Sequence, residues 1–150
     1  MPSLLALTVR QPFAWAIAEG QKTVENRTWG TTMGTDGGEF AVHSAMTPGD
    51  PLQVPAFTSA SRTSPAAALG AVVAVVRLAS IHVALGGPGC TAERPCSPWA
   101  IMRPGMRHWV IAGPRPLAEP VPCRGRLGLW RLPEDVESAV RAQLEAPRGT

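Results

Sequence analysis

No stretch of this sequence stays apolar long enough to cross a bilayer. The longest run, Ala66–Val76, falls well short of the roughly 20 residues a spanning helix needs. The chain does not begin with a basic segment, an apolar core and a cleavage site, so the pattern of a secretory signal is missing. Cysteine is sparse and odd in number: Cys90, Cys96 and Cys123. Such a set does not read as a disulfide framework, and it suits a reducing compartment. A soluble, cytoplasmic protein with no membrane partner is therefore expected. Walker A and dinucleotide-binding glycine patterns are absent. No serine sits in a nucleophile elbow, so Ser44 and His43 do not extend to a recognisable Ser/His/Asp triad. Tyrosine is missing, and lysine occurs once, at Lys22, among basic residues that are otherwise arginine.

What is present points to a small β-rich protein. A chain of 150 residues, 45% of them hydrophobic, fits one domain with a real core. The 16 prolines and 15 glycines imply short elements joined by many turns. A net charge of +3 is compatible with a polyanionic partner.

Along the chain, Leu4–Val9 reads as a strand, and Pro12 can open a helix that Gly20 closes. Lys22–Trp29 reads as a second strand, Thr31–Glu39 as a glycine-rich hairpin or loop and Phe40–Ala45 as a third strand. The Pro/Ser/Thr-rich Thr47–Pro65 reads as a long mobile loop with at most one helical turn. Ala67–Ala79 leads into a strand apolar on both faces, hence a central one. Gly86–Pro98 reads as a loop, His108–Ala112 as a strand and Arg115–Gly125 as a proline-punctuated extended segment. Leu127–Leu132 forms the last strand. Pro133 opens a C-terminal helix with Glu134, Asp135 and Glu137 where negative charge suits its dipole. Five to six strands with a helix closing one end describe a small barrel, an α+β or mainly β fold.

The densest polar cluster in the first third of the chain is Gly20-Gln21-Lys22-Thr23-Val24-Glu25-Asn26-Arg27. Lys22 and Arg27 supply cationic donors, and Arg27 can grip a phosphate or carboxylate in two parallel bonds. Glu25 between them can accept from a base or act as an acid/base group. A salt-bridged edge strand is the plainer reading. Strict alternation puts Thr23, Glu25 and Arg27 on one face and Lys22 on the other. Lys22 joins Glu25 only if it precedes the regular strand or a bulge intervenes.

Other residues suggest ligand contacts. Arg10 and Gln11 sit at a strand-to-helix junction, suited to an anion. His43 and Ser44 end a strand, as a polar cleft wall or as buried, satisfied groups. Among the five tryptophans, Trp109 and Trp130 read as core. Trp99, between a Cys/Pro loop and Arg103, Arg107 and His108, is the candidate for stacking on a base. Cys90 and Cys96 with His108 and Cys123 are metal-binding types, but their spacing is not that of the usual short pairs. No metal and no other cofactor is expected.

The blocks Leu7–Ala14 and Gly20–Arg27, then Val42–Ala45, Leu69–Val76, His108–Val110 with Pro116-Leu117, and Gly125–Trp130, resemble in that order the ASCH domain family. The resemblance covers about Leu4 to Leu132. It implies a PUA-like β-barrel with a cleft beside the first helix, residues 1–132 forming the domain and 133–150 a helix and tail packed on it. It also implies a link to RNA metabolism. Some small bacterial relatives are amidohydrolases that remove an acyl group from a modified cytidine, using a lysine at the position of Lys22. Those enzymes have threonine in place of Glu25, and a further acidic residue without clear counterpart here. Other relatives are reported as nucleases. The expectation is thus a module that binds RNA or a nucleoside-type molecule through Arg10, Gln11, Lys22, Thr23, Glu25, Arg27, His43, Ser44, Trp99 and His108. A hydrolase using Lys22 and Glu25 on a modified nucleoside or on RNA is the alternative, and a protein-interaction domain using the Pro-rich loops is a weaker third. The sequence leaves the oligomeric state open.

Overall fold

A computed structural model describes residues 3–31 and 38–146. In chain order the elements are β1 (Leu5–Val9), α1 (Phe13–Ala18), β2 (Val24–Arg27), β3 (Gly38–Ser44), β4 (Ala71–Val83), β5 (Arg107–Pro122), β6 (Leu129–Arg131) and α2 (Glu134–Glu145). The six strands form one sheet in the order β2-β5-β4-β3-β1-β6. β1 and β3 run parallel, and the other neighbours are antiparallel.

The sheet curls into a half-barrel. β4 and β5 are long, 13 and 16 residues, and their pairing shifts register at Val72/Ala74, Val75/Arg77 and Leu78/Ser80. Each shift adds local bend and twist, which is how long strands close rather than splay. The curl is deep enough for Arg27 of β2 to donate from Nη2 to the Thr8 carbonyl of β1 at 2.9 Å, although three strands separate β2 from β1 in the sheet.

Both faces of the central strands are covered. Leu7, Phe40, Val42, Val73, Val76 and Trp109 pack with α1. Ala6, Ala41, Val72, Val75 and Trp130 pack with Val136 and Val140 of α2. This double burial is why the middle of β4 reads as an unbroken apolar run. Each buried valine of α2 contributes about 1.5–3 kcal/mol, and Glu137 adds an acceptor for the Leu4 amide at 3.0 Å.

Two segments differ from the sequence reading. The two extended pieces expected on either side of Gly113 are one strand, β5, despite Pro114, Pro116, Pro120 and Pro122. Gly113, at φ 56°, and the register shifts absorb what prolines would otherwise break. The segment 47–65 is a chain of 3₁₀ turns at Pro51–Gln53 and Ala60–Thr63, with a third at Pro65–Ala67. It is anchored by buried Val54 and by Phe57 edge-on to Trp15 at 5.2 Å. Most of the loop expected at Thr31–Glu39 lies outside the described residues. Among the described residues, no helix is long and apolar enough to cross a membrane.

Candidate functional site

The site begins at the end of α1. Gly20 takes φ 81°, a left-handed cap that side-chain-bearing residues resist. The amides of Gln21 and Lys22 then both return to the Ala16 carbonyl at 3.0 Å. Lys22 is therefore held by the helix end and precedes β2, which begins at Val24. Strand alternation does not bind it, and it reaches the Glu25 side.

Lys22 is only 4% exposed and Glu25 only 7%. Lys22 Nζ lies 3.1 Å from Glu25 Oε1 and also donates to the Val24 carbonyl. Arg27 closes on the other carboxylate oxygen, Oε2, with Nη2 at 2.6 Å and Nε at 3.0 Å. Burial alone raises the Glu25 carboxyl, but the charges of Lys22 and Arg27, with their hydrogen bonds, outweigh it and hold it below the ordinary carboxylate range. Two cations on one carboxylate leave the cluster net positive.

Aromatic rings complete the cluster. Lys22 Nζ lies 5.6 Å from the Phe13 ring centroid and 5.8 Å from that of Trp99. Phe13 and Trp99 meet edge to face at 6.5 Å. Trp99 is fixed through its backbone: Asn26 of β2 donates to the Trp99 carbonyl at 2.9 Å and accepts from the Ile101 amide at 2.8 Å. One amide side chain thus pins the loop after β4 to the edge of the sheet.

Two hollows share Phe13 and Glu25 as a common wall. One, of about 500 Å³, is lined by Lys22, Asn26, Gln53, Trp99 and Ile101 among others. The second, of about 380 Å³, is lined by Thr8, Arg10, Arg27, Arg126 and Gly128 among others. Both have the size of small-ligand sites. Lys22 faces one side, and Arg10, Arg27 and Arg126 the other.

The remaining expected residues lie elsewhere or do structural work. Gln11 is buried; its Nε2 donates to the carbonyls of Ala66 and Ala68, and its Oε1 accepts from the Trp15 amide. It staples the 3₁₀ turn at Pro65–Ala67 to α1. Thr23 is exposed and lies 3.4 Å from the Ser97 hydroxyl. His43 is 1% exposed, with Nε2 2.7 Å from the Cys123 carbonyl and Nδ1 3.2 Å from the Thr8 hydroxyl. Burial pushes its pKa below the ordinary value. Ser44 is fully buried and bonds both backbone groups of Ala71. His43 and Ser44 are thus satisfied core groups and do not line either hollow. His108 is buried too, beside Cys90 and Cys96.

Phe13, Asn26 and Arg126 join the site without being singled out by sequence. Asn26 lay inside the polar cluster, and Arg126 inside a block matching the closing strands. Phe13 carried only the helical apolar pattern of a core residue.

The family model of the ASCH domain matches residues 7–112, well over half the chain. A comparison with curated proteins finds no match.

Proposed function

The chain belongs to the ASCH domain family, and from that premise we propose that the double hollow around Lys22, Glu25 and Arg27 binds single-stranded RNA or a nucleoside-type ligand. The supporting observation is the buried Glu25 carboxylate shared by Lys22 and Arg27 at the wall between two hollows, beside the exposed part of Trp99. In this reading Glu25 is not the acid/base group. Both of its oxygens are engaged by cations, and its role is to hold Lys22 and Arg27 in place. Lys22 has three N–H donors. Two go to Glu25 and Val24, leaving one for a base or ribose oxygen. Arg27 spends Nε and Nη2 on Glu25 and Thr8, leaving Nη1 for a phosphate. Arg10 and Arg126 add charge along the same hollow, and Trp99 offers a ring face to a base. Bases stack on aromatic rings whatever their identity, so this arrangement favours unpaired strands.

Titrating labelled single-stranded RNA over a salt series tests this. Affinity is expected to fall with salt, each neutralised phosphate contributing a slope of about −0.7 in log–log form. Lys22→Ala with Arg27→Ala should weaken binding at least tenfold and flatten that slope. Equal affinity and slope for wild type and double variant would sink the reading.

A second reading, a hydrolase of a modified nucleoside or of RNA, draws on Lys22 as the sole lysine, buried against a hollow lined by aromatic rings. Acylated cytidine and RNA incubated with the protein and resolved by chromatography decide it. Product no greater than with Lys22→Ala ends it.

A further inference from the structure

A second cluster, with Cys90 and His108 buried and His82 and Cys96 partly accessible, lies at the far end of the β4–β5 hairpin. The register pairs His82 with His108 across the two strands. The loop between them folds back and delivers Cys90 and Cys96. One ligand atom from each of His82, Cys90, Cys96 and His108 lies within 4.8 Å of all the others. We propose that these four residues hold a structural zinc ion.

The geometry of His108 carries the argument. Its Nε2 lies 2.8 Å from the Ile101 carbonyl. A carbonyl only accepts, so Nε2 bears the proton, and in the neutral imidazole Nδ1 presents a bare lone pair. Onto that one lone pair converge Cys90 Sγ at 3.4 Å, Cys96 Sγ at 3.3 Å and His82 Nε2 at 3.2 Å. A single lone pair accepts one good hydrogen bond, so hydrogen bonding accounts for one of these approaches and leaves two. A cation at their centre accounts for all. Zinc bonds of about 2.0–2.1 Å to nitrogen and about 2.3 Å to sulfur make tetrahedral edges of about 3.4 Å between nitrogens and about 3.6 Å between nitrogen and sulfur. The observed separations sit within a few tenths of an ångström of those edges.

The surroundings fit the same ion. A histidine ligand that donates its other N–H to a backbone carbonyl is the usual outer-shell arrangement. Leu85 takes a φ of 62° in the turn that leads to Cys90, whose amide donates to the Gly87 carbonyl at 3.2 Å. Two thiolates and two imidazoles suit zinc, and with four protein ligands no position stays open for chemistry. Binding Zn²⁺ displaces the two thiol protons to solvent, so no oxidant or reductant is needed.

The ion also adds a second anchor to a long loop that Asn26 pins at Trp99 and Ile101. Residues 84–106 hold no helix or strand beyond an isolated bridge between Gly87 and Cys90. Long irregular loops of this kind need a staple to stay ordered. Through His108 and Ile101 the staple reaches Trp99, the ring beside Lys22. The zinc site itself does not depend on what the hollows bind.

The test measures metal content of the full chain prepared under reducing conditions. One zinc per chain is expected, replaceable by one cobalt with the visible d–d absorption of tetrahedral sulfur–nitrogen coordination. Cys96→Ser and His82→Ala should lose the metal, while Cys123→Ser, outside the cluster, keeps it. Should Cys96→Ser not fold, His82→Ala and the wild-type cobalt spectrum still decide. Chelation should speed chymotryptic cleavage after Leu85 and Trp99, each of which is followed by a non-proline residue. Failure to take up one equivalent of zinc or cobalt would overturn the proposal. So would metal retained in both ligand variants, or Cys90 and Cys96 joined as a disulfide in protein that takes up no metal.

Discussion

The Lys22 ammonium lies 5.8 Å from the ring centroid of Trp99, a contact between the turn after α1 and the long loop that joins β4 to β5. Lys22 is placed by local partners, and Trp99 by a residue 73 positions away in sequence. Glu25 holds Lys22, and Asn26 holds the backbone of Trp99. The site is therefore as rigid as those two partners make it.

Replacing Glu25 by glutamine leaves Lys22 and Arg27 facing each other without their shared counter-charge. Breaking a buried ion pair from one side costs about 3–5 kcal/mol. Because Arg27 is partly exposed, with 23% of its side chain in contact with solvent, water screens part of that loss, and about 2–3 kcal/mol is expected. Urea unfolding at neutral pH measures it; a change under about 0.5 kcal/mol, the range of ordinary surface substitutions, would mean the carboxylate does not organise the cluster.

Acid should destabilise the protein in two stages. His43 has a folded-state pKa below its ordinary 6.5, so the unfolded chain takes up its proton first. Stability from burying neutral His43 is full above 6.5 and is lost as pH falls from there through the folded value. Glu25 is also depressed, from 4.5. Its contribution is full above 4.5 and is lost only as pH falls further through its folded value. Unfolding free energy followed from pH 8 to 3 should show both losses, and Glu25→Gln should shrink the later one, leaving the part due to Glu137, which the Leu4 amide also holds below 4.5.

Trp99 is partly buried against the rim of the core and lines the wall of the larger hollow. Trp99→Ala should weaken RNA binding by about 1–3 kcal/mol, the worth of one stacked base. Loss of its packing against Phe13 and the core rim should also lower the unfolding midpoint. Anisotropy titration and thermal melting together separate the two effects; unchanged affinity would remove Trp99 from the site.

Gly125 passes so close to His43 that an added Cβ would lie 2.8 Å from Cε1 and 3.1 Å from the Thr8 hydroxyl. His43 is held on both nitrogens and cannot retreat. Gly125→Ala should cost about 1–3 kcal/mol from overpacking and shift Arg126, which lines the second hollow. Thermal melting measures the cost, and an unchanged melting temperature would show that the loop moves freely.

The sequence made local features legible and long-range register much less so. Gly20 marked the end of α1, and the apolar run of β4 marked a doubly covered strand, because each signal lies within a few residues. Lys22, Glu25 and Arg27 were close in sequence and could be grouped, but which face Lys22 takes depended on the two amides that return to Ala16. The union of β5 through four prolines was hidden, since each proline alone argues for a break. His82 escaped notice for the same kind of reason. It meets Cys90 and Cys96 only through its pairing with His108, whereas Cys123, equally suggestive by type, ends beside His43.

Ultraviolet cross-linking of single-stranded RNA to the protein, with the attached peptides located by mass spectrometry, tests the central claim most directly. Adducts are expected at Phe13 or Trp99 and in the segment Lys22–Arg27, and they should disappear when unlabelled RNA competes. Adducts confined to the opposite face, around α2, would contradict the account.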